Sequence, residues 1–174
     1  AGTFVKRNGT SGKVGSANSH IAFNGDDYPT LVGTATWNGV TWQEVGPHTP
    51  TARDYGGGFG GVYDGVVAGG YTGGAQSTLV DEWNGVSWAS ANALPTAQHG
   101  AGGAGPQTAG IIMGGNPGAE VQEYNGTTWS EGTSIPVNFG GHASGGNVGK
   151  AFVVSISSTY FWTGGFVTGS ADTY

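Results

Sequence analysis

Asp54, His99 and His142 fall at comparable points behind Pro50, Pro95 and Pro136. A carboxylate and two imidazoles, gathered on one face, are donors for a metal ion or hydrogen-bonding partners for a glycan. Each stands alone in its stretch of chain, without the close ligand spacing of a metal motif, so the competing reading is that each satisfies backbone groups nearby. Asp26-Asp27 and Asp81-Glu82 are the paired carboxylates. Glycoside hydrolysis needs two such groups roughly 5–9.5 Å apart across a substrate, whereas neighbours on extended chain point to opposite faces. Solvated turns account for both pairs. The chain has no cysteine, hence no thiolate nucleophile or ligand and no disulfide. No nucleophilic triad emerges, and the Gly-Gly pairs lack the strand-to-helix setting of a phosphate or dinucleotide loop. The chain is therefore expected not to be an enzyme and to carry no cofactor or metal.

Whatever positions these residues must be built from an unusual composition. Of 174 residues, 37 are glycine and 9% are charged, against roughly 7% and 25% in ordinary domains. Each glycine inside a helix costs roughly 0.5–1 kcal/mol relative to alanine, so strands joined by tight turns are the natural outcome. Six Trp, seven Tyr and seven Phe supply the apolar bodies that disordered chains lack. A net charge of −6 with only five Lys plus Arg leaves no basic stripe for phosphates or anionic lipid. Neither a nucleic-acid partner nor membrane insertion is expected, the latter because no apolar run approaches ~18 residues. No signal-peptide pattern is visible, and the Ala1-Gly2 start fits Met removal, processing or truncation equally well.

The elements repeat. Trp37-Asn38-Gly39-Val40-Thr41-Trp42, Trp83-Asn84-Gly85-Val86-Ser87-Trp88 and Tyr124-Asn125-Gly126-Thr127-Thr128-Trp129 share one box, their asparagines 46 and 41 residues apart. That spacing lies in the roughly 40–50-residue range of four-stranded propeller blades. Pro50-Thr51-Ala52-Arg53 recurs as Pro95-Thr96-Ala97-Gln98, and Val66-Val67-Ala68-Gly69-Gly70 as Ile111-Ile112-Met113-Gly114-Gly115. Asn-Gly predicts a type I′ hairpin turn with both central residues at positive φ. The flanking aromatics then face each other across the hairpin. The aliphatic runs predict inner strands buried on both faces, with the Gly-Gly pairs where backbones crowd at an axis. The Trp, Tyr and Thr content suits sugar stacking as well as packing between sheets.

The chain ends bear on the count. Arg7-Asn8-Gly9-Thr10 is a degenerate fourth box, and Gly164-Gly165-Phe166 through Ala171-Asp172-Thr173-Tyr174 resembles Gly69-Gly70-Tyr71 through Asp81-Glu82-Trp83. Closure between the ends would give about four units, approximately 8–37, 38–83, 84–124 and 125–174, within one repeat domain. The first is short and lacks the Gly-Gly pair. The expected fold is all-β, a kelch-like β-propeller of about four blades, with an open or subunit-completed stack of antiparallel sheets as the alternative. Asn8-Gly9-Thr10 and Asn125-Gly126-Thr127 also match the glycosylation sequon, but the repeat accounts for both as turns.

Glu123-Tyr124-Asn125-Gly126-Thr127-Thr128-Trp129, with Gly105-Pro106-Gln107-Thr108-Ala109-Gly110 and the Gly-Gly pairs, resembles the kelch-like repeat proteins of marine cyanophages and related phages over nearly the whole chain. Ser155-Ile156 near the expected third Gly-Gly, and Pro136 without Thr-Ala, depart from the pattern. The resemblance implies a virion structural protein on the particle's exterior, a capsid decoration or tail-appendage module. Its implied partners are other virion proteins or further copies of itself, with a host surface glycan as a second candidate. A glycan-binding lectin or glycan-degrading enzyme on the same scaffold is the alternative function. Kelch propellers are also similar to galactose oxidase, whose copper site needs a Tyr crosslinked to Cys, and this chain has no Cys. Gly39-Val40-Thr41-Trp42 resembles the end of a sialidase-type Asp box, yet Trp37 stands where the Asp belongs.

Overall fold

The computed structural model describes residues 11–16, 19–23, 33–45, 49–135, 142–147, 150–155 and 161–164. Their regular structure is all β, with no helix among the described residues. The first sheet comprises β1 (Ser11–Ser16), β2 (Ser19–Phe23), β3 (Thr34–Trp37) and β4 (Trp42–Glu44). In the second, β5 (Gly57–Gly60) and β6 (Gly65–Ala68) are followed by a small hairpin, β7 (Tyr71–Thr72) and β8 (Ala75–Gln76). The sheet then resumes with β9 (Val80–Trp83) and β10 (Trp88–Ser90). The third is β11 (Gly102–Ala104), β12 (Gly110–Met113), β13 (Val121–Tyr124) and β14 (Trp129–Glu131). A fourth holds β15 (His142–Asn147), β16 (Lys150–Ser155) and β17 (Phe161–Gly164) among the described residues. Every sheet is an antiparallel meander in chain order, and β1, β5, β11 and β15, the first strands, lie against one another in succession.

The repeated box is the last hairpin of each of the first three sheets. Trp37 pairs with Trp42, Trp83 with Trp88 and Tyr124 with Trp129. Their rings sit 5.7, 5.4 and 4.7 Å apart, so the expected cross-strand aromatic contact forms each time. The turn itself differs from the expected type I′. Only the glycine has positive φ, at 93° for Gly39, 91° for Gly85 and 90° for Gly126, whereas type I′ requires it at two successive residues. The asparagine instead contributes its side chain. Asn84 Oδ1 accepts from the backbone N–H groups of Val86 and Ser87 at 2.9 and 2.8 Å, and the other two boxes repeat the pattern. The box thus lies between the last two strands of each of the first three sheets.

The aliphatic strands are buried on both faces, as expected. All four residues of β6 and all four of β12 are inaccessible, and strand alternation sends their side chains into different interfaces. Val67 joins Ile21, Phe23, Trp83 and Trp88 between the first and second sheets. Val66 and Ala68 meet Phe59, Ile112 and Tyr124 between the second and third. Ile111 and Met113 turn the other way, toward Val121 and Ile135. Each such side chain contributes roughly 1.5–3 kcal/mol on burial.

Backbones crowd at the Gly-Gly pairs, where a Cβ on Gly69 would strike the Gln98 carbonyl and one on Gly115 the His99 carbonyl, and they crowd at other glycines as well. Gly103 in β11 lies so close to the Gly58 backbone of β5 that a Cβ there would strike the Gly58 carbonyl, and Gly60 N–H donates to Gly105 O at 2.8 Å. The second and third sheets therefore meet through the glycines of their first strands. The Gly-Gly pairs end the second strands, with φ of 66° and 111° at Gly69 and Gly70 and 68° and 86° at Gly114 and Gly115. They steer the chain off the sheet against the preceding linker, where a Cβ on Gly70 would sit 2.7 Å from Asp54 O. Ser155 ends β16 in place of such a pair. The degenerate box at 7–10, the stretch 165–174 and Pro136 lie outside the described residues.

Candidate binding cleft

The linkers entering the second and third sheets are built alike. Arg53 lies buried against Asp81 of β9, Nη2 to Oδ2 2.8 Å, and donates to Val67 O. One repeat on, Gln98 takes the place of Arg53 and Gln122 that of Asp81, with Gln122 Nε2 donating to Gln98 Oε1 at 2.7 Å. Gln98 Nε2 also reaches the carbonyls of Gly114 and Glu120. These anchors hold the next residue of each linker in place.

That next residue is Asp54 or His99. Asp54 exchanges backbone hydrogen bonds with Tyr71 at 3.1 and 2.7 Å, and His99 does so with Asn116 at 3.2 and 2.8 Å. Both partners directly follow a Gly-Gly pair, so the recurrence of Asp54 and His99 reflects a backbone bridge. His142 opens β15 opposite Ser155, on the fourth sheet. Among the described residues no group of three or more His, Cys, Asp or Glu is placed to hold a metal. Asp26-Asp27 lies outside the described residues. Asp81 and Glu82 belong to β9 and not to a solvated turn: Asp81 is buried on Arg53, and Glu82 accepts from the Tyr124 hydroxyl at 2.6 Å. Burial first, then Glu82, holds the Tyr124 hydroxyl well above the usual tyrosine range.

His99 does line an open cleft of about 930 Å³ between the second and third repeats. Tyr55 and Tyr71, both exposed, line it too, and their rings meet the imidazole edge-on at 6.5 and 5.3 Å. Tyr71 OH donates to Gly74 O at 2.8 Å within its own hairpin. Gln76 Nε2 donates to Asn116 Oδ1 at 2.9 Å, joining the two repeats. No Asp, Glu, Lys or Arg is among the lining residues.

Tyr55 is the only described residue other than glycine at positive φ, 54°. In the third sheet that position is Gly100, with φ 67°. A left-handed conformation is free for glycine and costs a bulky L-residue roughly 1–2 kcal/mol. Sequence reasoning missed Tyr55, Tyr71, Gln76 and Asn116. The signal was present in the repeat itself: Asp54/His99, Tyr55/Gly100 and Tyr71/Asn116 are among the aligned positions where the two copies differ in chemistry, while the boxes and aliphatic strands keep theirs.

No protein-family model and no curated protein matches this chain. The box residues have structural duties instead. Trp83 Nε1 donates to Val62 O and Trp88 Nε1 to Thr34 Oγ1 of the first sheet at 3.0 and 2.8 Å. Asn125 of the sequon bonds Thr128 Oγ1 at 2.9 Å through its amide nitrogen.

Proposed function

We propose that the chain is a kelch-like β-propeller of about four blades acting as a non-catalytic structural protein on the outer surface of a phage virion, as a capsid decoration or tail-appendage module. One observation carries this reading. All three described boxes spend their conspicuous residues on the same hairpin, and those of the second and third also pack one sheet against the next, so the repeated motif serves to build a rigid body. The succession of first strands supports radial blades, and the repeat resemblance supplies the virion setting. Other virion proteins or further copies of this chain are the partners. Mass spectrometry and cryo-EM of purified particles of the phage encoding the chain test the proposal. Symmetry-related external density fitting the domain is expected, and absence of the chain from particles overturns it. Native mass of the isolated protein separates a self-closed monomer from a subunit-completed stack.

A further inference from the structure

We propose that the cleft bounded by Tyr55, Tyr71, His99, Gln76 and Asn116 is a binding site for an uncharged oligosaccharide. Four observations converge on that ligand class. First, the repeat that builds the fold breaks here: where the third sheet has Gly100, the second has Tyr55, held at φ 54° against the preference of its side chain. Strain kept at a position where the other copy uses glycine is expected where the side chain serves a ligand. Second, the cleft exposes flat apolar faces, with Tyr55 44% and Tyr71 37% accessible, whereas Trp83, Trp88 and Tyr124 of the boxes are buried. Aromatic rings with a polar edge stack on the C–H face of a pyranose while leaving its hydroxyls outward.

Third, the platform is preorganised. The Tyr71 hydroxyl is bound to Gly74 O at 2.8 Å and its ring rests on the His99 edge, so little freedom is lost when a sugar stacks on it. Fourth, the lining carries no formal acid or base besides His99 but does carry two amides. The Gln76 to Asn116 bond uses one donor of Gln76 and one lone pair of Asn116, and the remaining amide atoms suit hydroxyl groups that both donate and accept. A cleft of about 930 Å³ is at the upper end of the roughly 300–1,000 Å³ of ligand pockets, so it admits several sugar units. Sialylated or sulfated glycans find no cation in it.

This inference goes beyond the scaffold role and does not depend on it, since the isolated domain binds or fails to bind whether or not it sits on a particle. The test is an array of neutral hexose and N-acetylhexosamine oligosaccharides probed with the intact chain, the best of them then titrated calorimetrically. Tyr55→Gly installs the residue that the third sheet already tolerates, and Tyr71→Asn the residue that follows the other Gly-Gly pair. Each is expected to keep the wild-type thermal transition and to weaken binding at least tenfold. Three results overturn the proposal: no neutral oligosaccharide bound at millimolar concentration, binding confined to anionic glycans, or binding unchanged in both variants. Should Tyr71→Asn unfold the chain, Gln76→Ala, also expected to weaken binding, decides in its place.

Discussion

Arg53 and Asp81 form a fully buried ion pair, 2.8 Å from Nη2 to Oδ2, at the position where the next repeat makes an uncharged amide contact between Gln98 and Gln122. The same fold thus solves one anchoring problem with charges and again without them. Burial lowers the pKa of Arg53 despite the opposing pull of Asp81, so desolvation of the guanidinium outweighs what its partner returns. Removing only the acid by Asp81→Ala leaves that charge buried and is expected to cost about 3–5 kcal/mol. The double change Arg53→Gln with Asp81→Gln copies the third sheet and is expected to be at least as stable as the wild type. Urea unfolding of the three proteins checks both statements.

In the box, the asparagine acts as an acceptor. Asn84 Oδ1 takes hydrogen bonds from Val86 and Ser87 N–H, and aspartate offers the same oxygen while alanine offers none. Asn84→Ala is expected to lose about 1 kcal/mol, within the range for side chains that cap orphan N–H groups, and Asn84→Asp clearly less. Gly85→Ala is expected to exceed both, because φ there is 91° and the new Cβ would lie 3.4 Å from Tyr63. Thermal unfolding should rank wild type, Asn84→Asp, Asn84→Ala and Gly85→Ala in falling order.

Tyr124 couples the third sheet to the second through Glu82. Its pKa is raised above the ordinary 10.0, first by burial and then by the hydrogen bond to Glu82. The folded state therefore holds the phenolic proton more tightly than the unfolded one. Its contribution is complete below pH 10 and is lost as pH climbs from there toward the raised folded value. Wild-type stability should fall more steeply above pH 10 than that of Tyr124→Phe, which keeps the ring stacked on Trp129 but has no proton to lose. Parallel slopes in urea unfolding between pH 9 and 11 would contradict this.

Much of this architecture was legible because local signals agreed with each other. Val66-Val67-Ala68 and Ile111-Ile112-Met113 are apolar at successive positions, which only a strand covered on both sides accommodates, and both are covered. The aromatic pairs of the box followed from hairpin register. The turn type did not, because Asn-Gly is compatible with two geometries and the choice lies with side-chain hydrogen bonds that spacing does not encode. Close backbone approach is found at the conspicuous Gly-Gly pairs and also at Gly58 and Gly103 of β5 and β11, whose contact depends on which strands come first in each sheet and so leaves no local signal. Of the residues singled out for their chemistry, His99 lines the cleft. Tyr55 and Tyr71 looked like ordinary packing aromatics, and their role depends on Tyr55 replacing a glycine in the left-handed region.

Gly110 and Phe59 interlock the second and third sheets. The Phe59 ring lies over Gly110 so closely that a Cβ there would overlap it, and it reaches on to Tyr124 and Trp129 at 6.3 and 5.9 Å. A methyl group at position 110 must displace a fully buried ring wedged between two sheets, and overpacking of this kind costs roughly 1–3 kcal/mol. Phe59→Ala empties the same space and is expected to cost about 3–5 kcal/mol. Adding Gly110→Ala to Phe59→Ala puts a methyl group into the vacated volume, so the second change should be harmless or mildly stabilising although it is harmful alone. A double-mutant cycle by urea denaturation measures this, with a coupling of about 1–3 kcal/mol expected for groups in direct contact. Additive costs would mean that the ring does not occupy the space above Gly110.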